Sequence, residues 1–214
     1  MDYRYLVVEG SIGSGKTALS RKLAQHFECE LLSEAPEQNP FLTKFYLNAA
    51  NHGLATQLHF LMERAAAASI VLEEDRQHQR VISDFLLEKD QIFVPIVLQD
   101  DEATLYWQVK HQVLPEYPVP DLVIYLQGKQ TANHAEANGP QSAHYKLFPN
   151  GYMSQVDDEY SHFFHLYTHA PLLIANTDEL DFINNDEHFQ LLLNTMQNMR
   201  GSRHYLNLNE TTPQ

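Results

Sequence analysis

The sequence is poor in cysteine, in positive charge and in long apolar runs. Cys29 is the single cysteine among 214 residues, so no disulfide can form within the chain, and we expect a reducing, cytoplasmic location. The apolar runs are a few residues long, well short of the roughly 20 that a membrane-spanning helix needs. The first residues lead straight into a strand-like segment, so we also expect no signal peptide.

Positively charged residues are scarce overall, and arginine is absent from more than half of the chain. Lys and Arg number 14 against 28 Asp and Glu, which gives a formal net charge of −14. This balance argues against binding a nucleic-acid polymer, whose phosphates need Lys and Arg. A small anionic ligand remains compatible, because a few oriented backbone N–H groups and one lysine can hold it locally. No arginine occurs between Arg80 and Arg200.

What the sequence does contain is a regular alternation of short apolar runs and helix-forming segments. The patterns predict strands at 5–8, 31–32, 81–82, 122–126 and 171–175, and helices at 17–27, 41–46, 56–72, 101–114 and 186–199. Such alternation predicts an α/β fold with a five-stranded parallel sheet and helices on both faces. We expect one domain over residues 1–204, a mobile loop at 131–142 and a loose tail at 205–214.

A glycine-rich segment follows the first predicted strand and opens the first predicted helix. It consists of Gly10, Ser11, Ile12, Gly13, Ser14, Gly15, Lys16 and Thr17. In this pattern, called a P-loop, backbone N–H groups surround the phosphates of a nucleoside triphosphate and Lys16 supplies a positive charge. The hydroxyl of Thr17 is the expected Mg²⁺ ligand. A chance glycine-rich turn is the alternative, but the strand–loop–helix context favours a P-loop.

Two further polar residues stand where predicted strands end. Glu34 follows the second strand and Asp84 follows the third, and ligands of parallel sheets bind at the carboxyl ends of strands. Glu34 can accept the proton of an attacking hydroxyl, or it is a solvated loop carboxylate. Asp84 can act on the Mg²⁺ side of the site, directly or through water, or it is a strand-end cap.

Several segments, in the same order, resemble those of bacterial deoxynucleoside kinases of the deoxyadenosine and deoxyguanosine kinase type. One is Glu-Ala-Pro-Glu-Gln-Asn-Pro-Phe-Leu at 34–42, and another is the helix with Gln57 and, seven residues on, Arg64. Similar segments occur at 83–93, 121–127 and 170–181. The resemblance implies a P-loop kinase fold, ATP as phosphoryl donor and a deoxynucleoside 5′-hydroxyl as acceptor, with a purine slightly favoured.

The resemblance also implies roles for individual residues. Lys16, Glu34 and Asp84 would be catalytic, and Gln57 would pair with the base. The residues expected around the substrate are Phe41, Phe60, Phe85, Arg64 and Lys89. The alternatives are a polar helix surface for Gln57, a surface ion pair with Glu63 for Arg64 and plain core for the aromatic rings. Family members are usually dimers packed through helices, and the helix with Ala65–Ala68 can serve this purpose.

The sequence departs from the family pattern in two places. The segment Ser83-Asp84-Phe85 lacks the arginine of the family's Asp-Arg-Ser or Glu-Arg-Ser triplet, and Lys89 does not reproduce an arginine fork. The lid region, 128–151, contains no arginine and only Lys129 and Lys146 as cations. Because arginine contacts to phosphates are worth orders of magnitude in rate, the departures imply slow turnover, a lid from another subunit, or nucleotide binding without turnover.

Three functions therefore stay open at this level. The retained Lys16, Thr17, Glu34 and Gln57 favour a deoxynucleoside kinase. The arginine-free lid favours a nucleotide-binding pseudokinase or regulatory subunit. A nucleotide monophosphate kinase would need more positive charge for its phosphorylated acceptor than this chain offers.

Overall fold

The computed structural model describes residues 3–73, 79–114, 116–128 and 151–208. Its strands are β1 Tyr5–Gly10, β2 Glu30–Leu32, β3 Val81–Ser83, β4 Leu122–Gln127, β5 Leu172–Asn176 and β6 Arg203–Leu206. Its helices are α1 Lys16–Phe27, α2 Leu42–Leu47, α3 Ala49–Leu72, α4 Asp90–Val97, α5 Asp100–Val113, α6 Tyr152–Leu166 and α7 Asp186–Asn198. A short 3₁₀ helix spans Pro36–Gln38.

All strands run parallel in one sheet, in the order β2-β3-β1-β4-β5-β6. Their carboxyl ends therefore meet at a single edge, where Gly10 ends β1, and Glu34 and Asp84 follow β2 and β3. The predicted parallel α/β fold is confirmed, with six strands rather than five.

Alternate residues of each strand face two different hydrophobic layers. Leu6 and Val8 of β1 pack with α1 and α7, through residues such as Leu19 and Leu192. Val7 of β1 faces the opposite layer, which includes residues of α4 and α6. A third cluster joins α3, α4 and α5 outside that second layer. Because both faces of β1 are buried, its sequence is a continuous apolar run rather than an alternating one.

The sixth strand, β6, was not predicted from the sequence. It lies at the sheet edge beside β5, and within it only Leu206 is buried while His204 and Tyr205 are exposed. A strand of this kind has no alternating pattern to reveal it. The predicted tail boundary at residue 205 is wrong, since Tyr205 and Leu206 pair in the sheet; residues 209–214 and the predicted loop at 131–142 lie outside the described residues.

Candidate active site

The phosphate loop is shaped by backbone geometry at the end of β1. Gly15 has φ of 86° and forms the N-cap of α1, a conformation that side chains with a Cβ rarely adopt. A Cβ on Gly10 would lie 2.5 Å from Oγ of Ser14 and 3.0 Å from the carbonyl oxygen of Leu126. The N-terminus of α1 therefore points its free N–H groups into a loop that only glycine allows, as a phosphate site requires.

Lys16 follows this turn and lies among other charges. Burial lowers the pKa of its ammonium group, and the nearby charge of Lys89 lowers it further, against the opposing effect of Glu9 and Glu34. Two like charges held close together in a partly buried site are the arrangement expected where an anion binds. The role of Lys16 at the phosphates stays a prediction.

Glu34 lies between two cations at the carboxyl end of β2. Its Oε2 accepts a hydrogen bond from Lys89 Nζ at 2.9 Å, and its Oε1 lies 3.5 Å from Arg64 Nη1. The side chain of Glu34 is 11 % exposed, and those of Lys89 and Arg64 are 7 % and 3 % exposed. The alternative of a surface ion pair with Glu63 or a neighbour does not hold for Arg64, because its side chain is buried beside Glu34.

These cations determine the ionisation of Glu34. Burial alone would raise the pKa of its carboxyl group, but the charges of Lys89, Arg64 and Lys16 outweigh burial and the pKa falls below its ordinary value. Glu34 is consequently ionised at neutral pH and has an oxygen available to receive a proton. The alternative, that Glu34 is a solvated loop carboxylate, does not hold.

Asp84 holds the Glu34 segment in place. Its Oδ2 accepts a hydrogen bond from Ser33 Oγ at 2.6 Å and its Oδ1 accepts one from the Glu34 backbone N–H at 2.9 Å. The residue is 1 % exposed. Both carboxylate oxygens thus serve the polypeptide after β2, which is the strand-end function that the sequence left open beside a role at Mg²⁺.

Glu9, the last side chain before the phosphate loop, was missed from the sequence. It is fully buried, and its Oε1 accepts hydrogen bonds from the Gly10 backbone N–H at 2.9 Å and from the Tyr160 hydroxyl at 3.1 Å. Its Oε2 accepts one from the Leu86 backbone N–H at 2.9 Å, and Lys89 Nζ lies 3.8 Å from Oε1. A charged residue inside an apolar strand was the available signal.

A buried polar chain continues from Arg64 into α5. Arg64 Nη2 donates to the Tyr106 hydroxyl at 3.2 Å, and Tyr106 donates to Asp90 Oδ2 at 3.1 Å. Lys110 Nζ lies 2.8 Å from Asp90 Oδ2 and 2.9 Å from Oδ1. Charges alternate along this chain, so each buried carboxylate has a cation beside it. Sequence reasoning found Arg64 alone, because its partners come from separate segments.

Gln57 lies on α3 two helical turns before Arg64 and is 4 % exposed, so the surface alternative is wrong. Its amide makes no hydrogen bond to any residue in the described ranges. The Nε of Arg64 likewise has no partner among the described residues. Buried polar groups are usually paired, and of these two groups only the Arg64 Nε is itself a buried atom without a partner among the described residues. The roles of Gln57 and Arg64 at a substrate stay predictions.

The three predicted aromatic residues differ in their surroundings. Phe85 is 4 % exposed and packs with Leu61 and Tyr106 in a hydrophobic cluster, as the core alternative stated. Phe41 and Phe60 are half-buried, and each lies edge-on to His59 at 6.5 Å between ring centroids. Phe41 and Phe60 therefore keep exposed surface for a ligand, whereas Phe85 is largely covered by the protein.

Comparison with known proteins decides the family. The model of the family described as "Deoxynucleoside kinase" matches residues 6–199. The chain belongs to the deoxynucleoside kinase family. Every residue of the site described above lies within the matched stretch, and the resemblance inferred from the sequence is confirmed.

Individual members of the deoxynucleoside kinase family match along most of their length. A deoxyguanosine kinase of Bacillus subtilis (strain 168) is 27% identical over 197 residues, with 87% of this chain and 92% of the relative covered. A deoxyadenosine/deoxycytidine kinase of the same organism is 23% identical over 192 residues, with 86% and 88% covered. A solved structure of deoxyadenosine kinase from M. mycoides with bound dATP superposes with a TM-score of 0.76 at 20% identity, over 91% of this chain and 99% of that one.

The described residues offer few protein groups for a metal ion. No group of three or more His, Cys, Asp or Glu side chains with the arrangement of a metal site occurs among the described residues. The hydroxyl of Thr17 makes no hydrogen bond within the described ranges and fits a Mg²⁺ ligand. Mg²⁺ commonly takes one or two protein ligands together with substrate phosphates. Each oxygen of Asp84 accepts one hydrogen bond, and a role of Asp84 at Mg²⁺, directly or through water, stays a prediction.

Most of the predicted lid region, 128–151, lies outside the described residues. Lys129 and Lys146, its only cations, lie outside the described residues. Within the described residues, no helix has the length and apolar character needed to cross a membrane.

Proposed function

We propose that this chain transfers the γ-phosphoryl group of ATP to the 5′-hydroxyl of a deoxynucleoside. The observation that carries the proposal is the position of Glu34, an ionised and largely buried carboxylate held by Lys89 and Arg64 at the same sheet edge as the phosphate loop. Such a group beside a P-loop provides what phosphoryl transfer needs, namely charge neutralisation and a proton acceptor near the attacking hydroxyl.

The reaction follows from these positions. The 5′-oxygen attacks the γ-phosphorus, the bond from that phosphorus to the β,γ-bridging oxygen breaks, and ADP leaves with that electron pair. Glu34 accepts the hydroxyl proton. Lys16 and Lys89 supply positive charge where negative charge develops. Thr17 would hold Mg²⁺ together with substrate phosphates, and the ion would supply further positive charge there.

Gln57 and Arg64 support recognition of the nucleobase. A buried amide presents an acceptor and two donors and can pair with two adjacent positions of a base edge. Because the Gln57 amide makes no hydrogen bond within the described residues, it is available to pair with a base, and Arg64 lies two turns further along the same helix. Phe41 and Phe60 offer ring surface for stacking.

A purine deoxynucleoside is the preferred acceptor in this proposal. Relatives named deoxyguanosine kinase in Bacillus subtilis and deoxyadenosine kinase in Lactobacillus acidophilus support it. A second relative in Bacillus subtilis is named deoxyadenosine/deoxycytidine kinase, so cytosine is the pyrimidine to compare.

The direct test is a transfer assay with Mg²⁺, ATP and each of the four deoxynucleosides. We expect a deoxynucleoside monophosphate and ADP in equal amounts, with the two purine substrates used best. ATP binding without transfer to any of the four would instead establish a pseudokinase. Faster phosphorylation of a monophosphate than of its nucleoside would establish a nucleotide monophosphate kinase.

We further propose that the protein is a cytoplasmic homodimer that pairs through α3 and α5. The two helices pack together and leave large apolar side chains exposed, among them Met62 at 57 % and Leu105 at 47 %. Sedimentation equilibrium should give twice the chain mass. Met62→Lys together with Leu105→Lys should give the monomer mass, and a monomeric wild type would contradict the proposal.

A further inference from the structure

Glu34 is not held by Lys89 alone, because Lys89 itself lies between two carboxylates. Its ammonium group is 2.9 Å from Glu34 Oε2 and 3.8 Å from Glu9 Oε1. A cation shared in this way holds each carboxylate less firmly than it would hold one alone. The strength of the Lys89–Glu34 contact therefore depends on how strongly Glu9 attracts Lys89.

The attraction by Glu9 is in turn limited by Tyr160. The Tyr160 hydroxyl donates to the same Oε1 that faces Lys89, together with the Gly10 backbone N–H. Burial raises the pKa of Tyr160 well above its ordinary range, and the charges of Glu9 and Glu34 add to this. Tyr160 thus remains a hydrogen-bond donor at all working pH values.

Helix α6, which carries Tyr160, contacts the phosphate loop a second time. One turn earlier, Asp157 accepts a hydrogen bond from the Ser11 hydroxyl. α6 therefore contacts the residues on both sides of Gly10, which keeps Tyr160 aligned with Glu9.

We propose that Tyr160 and Glu9 are positioning residues for the phosphoryl-transfer reaction: Tyr160 weakens the hold of Glu9 on Lys89 and so keeps Lys89 against Glu34. This inference rests on the proposed role of Glu34 as the proton acceptor. Neither residue touches the substrate; each acts through Lys89.

The electrostatic surroundings of both carboxylates contribute to the same balance. The charged and titratable groups around Glu34 are Lys16, Arg64, Lys89, Asp84, Glu63 and Tyr160. Those around Glu9 are Lys16, Lys89, Tyr5, Tyr125 and Tyr160. Lys16 and Lys89 lie near both carboxylates. Of these two cations, Lys89 forms the short contact, at 2.9 Å from Glu34 Oε2.

The test uses Tyr160→Phe, which removes one hydroxyl and keeps the ring. Oε1 of Glu9 then carries more unshared charge and draws Lys89 away from Glu34, so the pKa of Glu34 should rise. The matched control is Tyr125→Phe, since Tyr125 stacks on the same aromatic cluster and hydrogen-bonds Ser161 instead of Glu9. We expect no change of the Glu34 titration in that control.

The primary readout is the carboxyl ¹³C titration of Glu34 by NMR, assigned by its loss in Glu34→Gln. It is independent of activity, so a failure of the proposed kinase reaction leaves it intact. A Glu34 pKa that is unchanged or lower in Tyr160→Phe, or raised equally in Tyr125→Phe, would overturn the proposal.

The kinetic readout is the pH profile of kcat/KM. In Tyr160→Phe its acid limb should move to higher pH, with a loss of about two- to tenfold at the acid end from the missing hydrogen bond and a smaller loss at alkaline pH. Equal losses at all pH values would indicate a merely structural role. Glu9→Gln should move the Glu34 titration in the opposite direction, because Lys89 then has a single charged partner; a rise in the Glu34 pKa there would also contradict the proposal.

Discussion

The site has two parts, a donor side formed by the phosphate loop and an acceptor side formed around Glu34. The two parts are built on different physical principles. The phosphate loop is made of consecutive residues, and its geometry comes from glycine backbone and the N-terminus of α1. The acceptor side is assembled from β1, β2, α3, the β3–α4 segment and α5, and buried ion pairs hold it together. Local backbone forms the first, while the second exists only when distant segments pack.

This difference has an energetic consequence. Backbone N–H groups hold an anion without needing any other charged side chain, so the donor side tolerates change in its surroundings. A buried ionic chain is stable only when complete, since removal of one partner leaves a desolvated charge. The acceptor side should therefore be the more fragile of the two in stability.

The largest effect on activity is expected from a change of Lys16, the charged side chain of the donor side. Lys16→Met should lower kcat/KM for ATP by about 10²–10⁴-fold, because a preorganised positive charge at the phosphates is lost. The matched control is Lys22→Met, which removes an exposed lysine of the same helix. Steady-state kinetics with varied ATP measures both, and equal behaviour of the two variants would refute the predicted role of Lys16.

The next effect concerns the stability of the acceptor side and comes from a residue that has no role in binding the substrate. Lys110→Met leaves buried Asp90 without its cation and should lower the free energy of unfolding by about 3–5 kcal/mol. Lys22→Met breaks the exposed pair with Asp186 and should cost less than about 1 kcal/mol. Urea unfolding measures both. Similar losses in the two variants would show that burial of the ion pair does not matter.

Stability should also depend on pH through Glu34. Its folded pKa lies below the ordinary 4.5, so ionised Glu34 stabilises the fold above that pH, and the stabilisation disappears as the pH falls through the folded value. Burial lowers the pKa of Lys89, but Glu34 and Glu9 outweigh this and raise it above the ordinary 10.5. Lys89 thus stabilises below 10.5 and loses this effect as the pH rises further.

Wild type and Glu34→Gln should therefore differ most in unfolding free energy between these two limits. The difference should shrink as the pH falls below 4.5. Urea titrations at a series of pH values measure it. A difference that stays constant from acid to neutral pH would contradict the depressed pKa of Glu34.

The smallest expected effect loosens the segment that carries Glu34. Ser33→Ala removes the hydrogen bond to Asp84 at 2.6 Å and should lower the free energy of unfolding by about 0.5–1.5 kcal/mol. Ser69→Ala, which removes a hydroxyl contact on the exposed surface of α3, is the control. Thermal unfolding of both variants compares them, and an identical midpoint would assign Asp84 no role in holding the segment.

The sequence predicted what depends on neighbouring residues and missed what depends on packing. The strand, loop and helix around Lys16 form one contiguous pattern, and all three were predicted. Helix α4 was missed because Pro95 lies inside it, and α6 was missed although Val156, Tyr160 and Phe164 recur every four residues.

The acceptor side illustrates the limit most clearly. Glu34 was found from its position at a strand end and Arg64 through family resemblance, yet their contact joins residues 30 positions apart. Tyr160 lies 151 positions from Glu9, and no local pattern relates them. Glu9 was the one member that a sequence signal could have revealed, since a charge within a buried strand requires a partner.

Glu34→Gln tests the central claim most directly, with ATP affinity and turnover measured in the same preparation. We predict that the calorimetric Kd for ATP stays within about twofold while kcat falls about 10²–10⁴-fold, and that Glu37→Gln, an exposed change three residues on, alters neither. Turnover retained within about tenfold of wild type, or an equal loss of ATP affinity, would contradict the separation of a donor side held by backbone from an acceptor side that depends on this carboxylate.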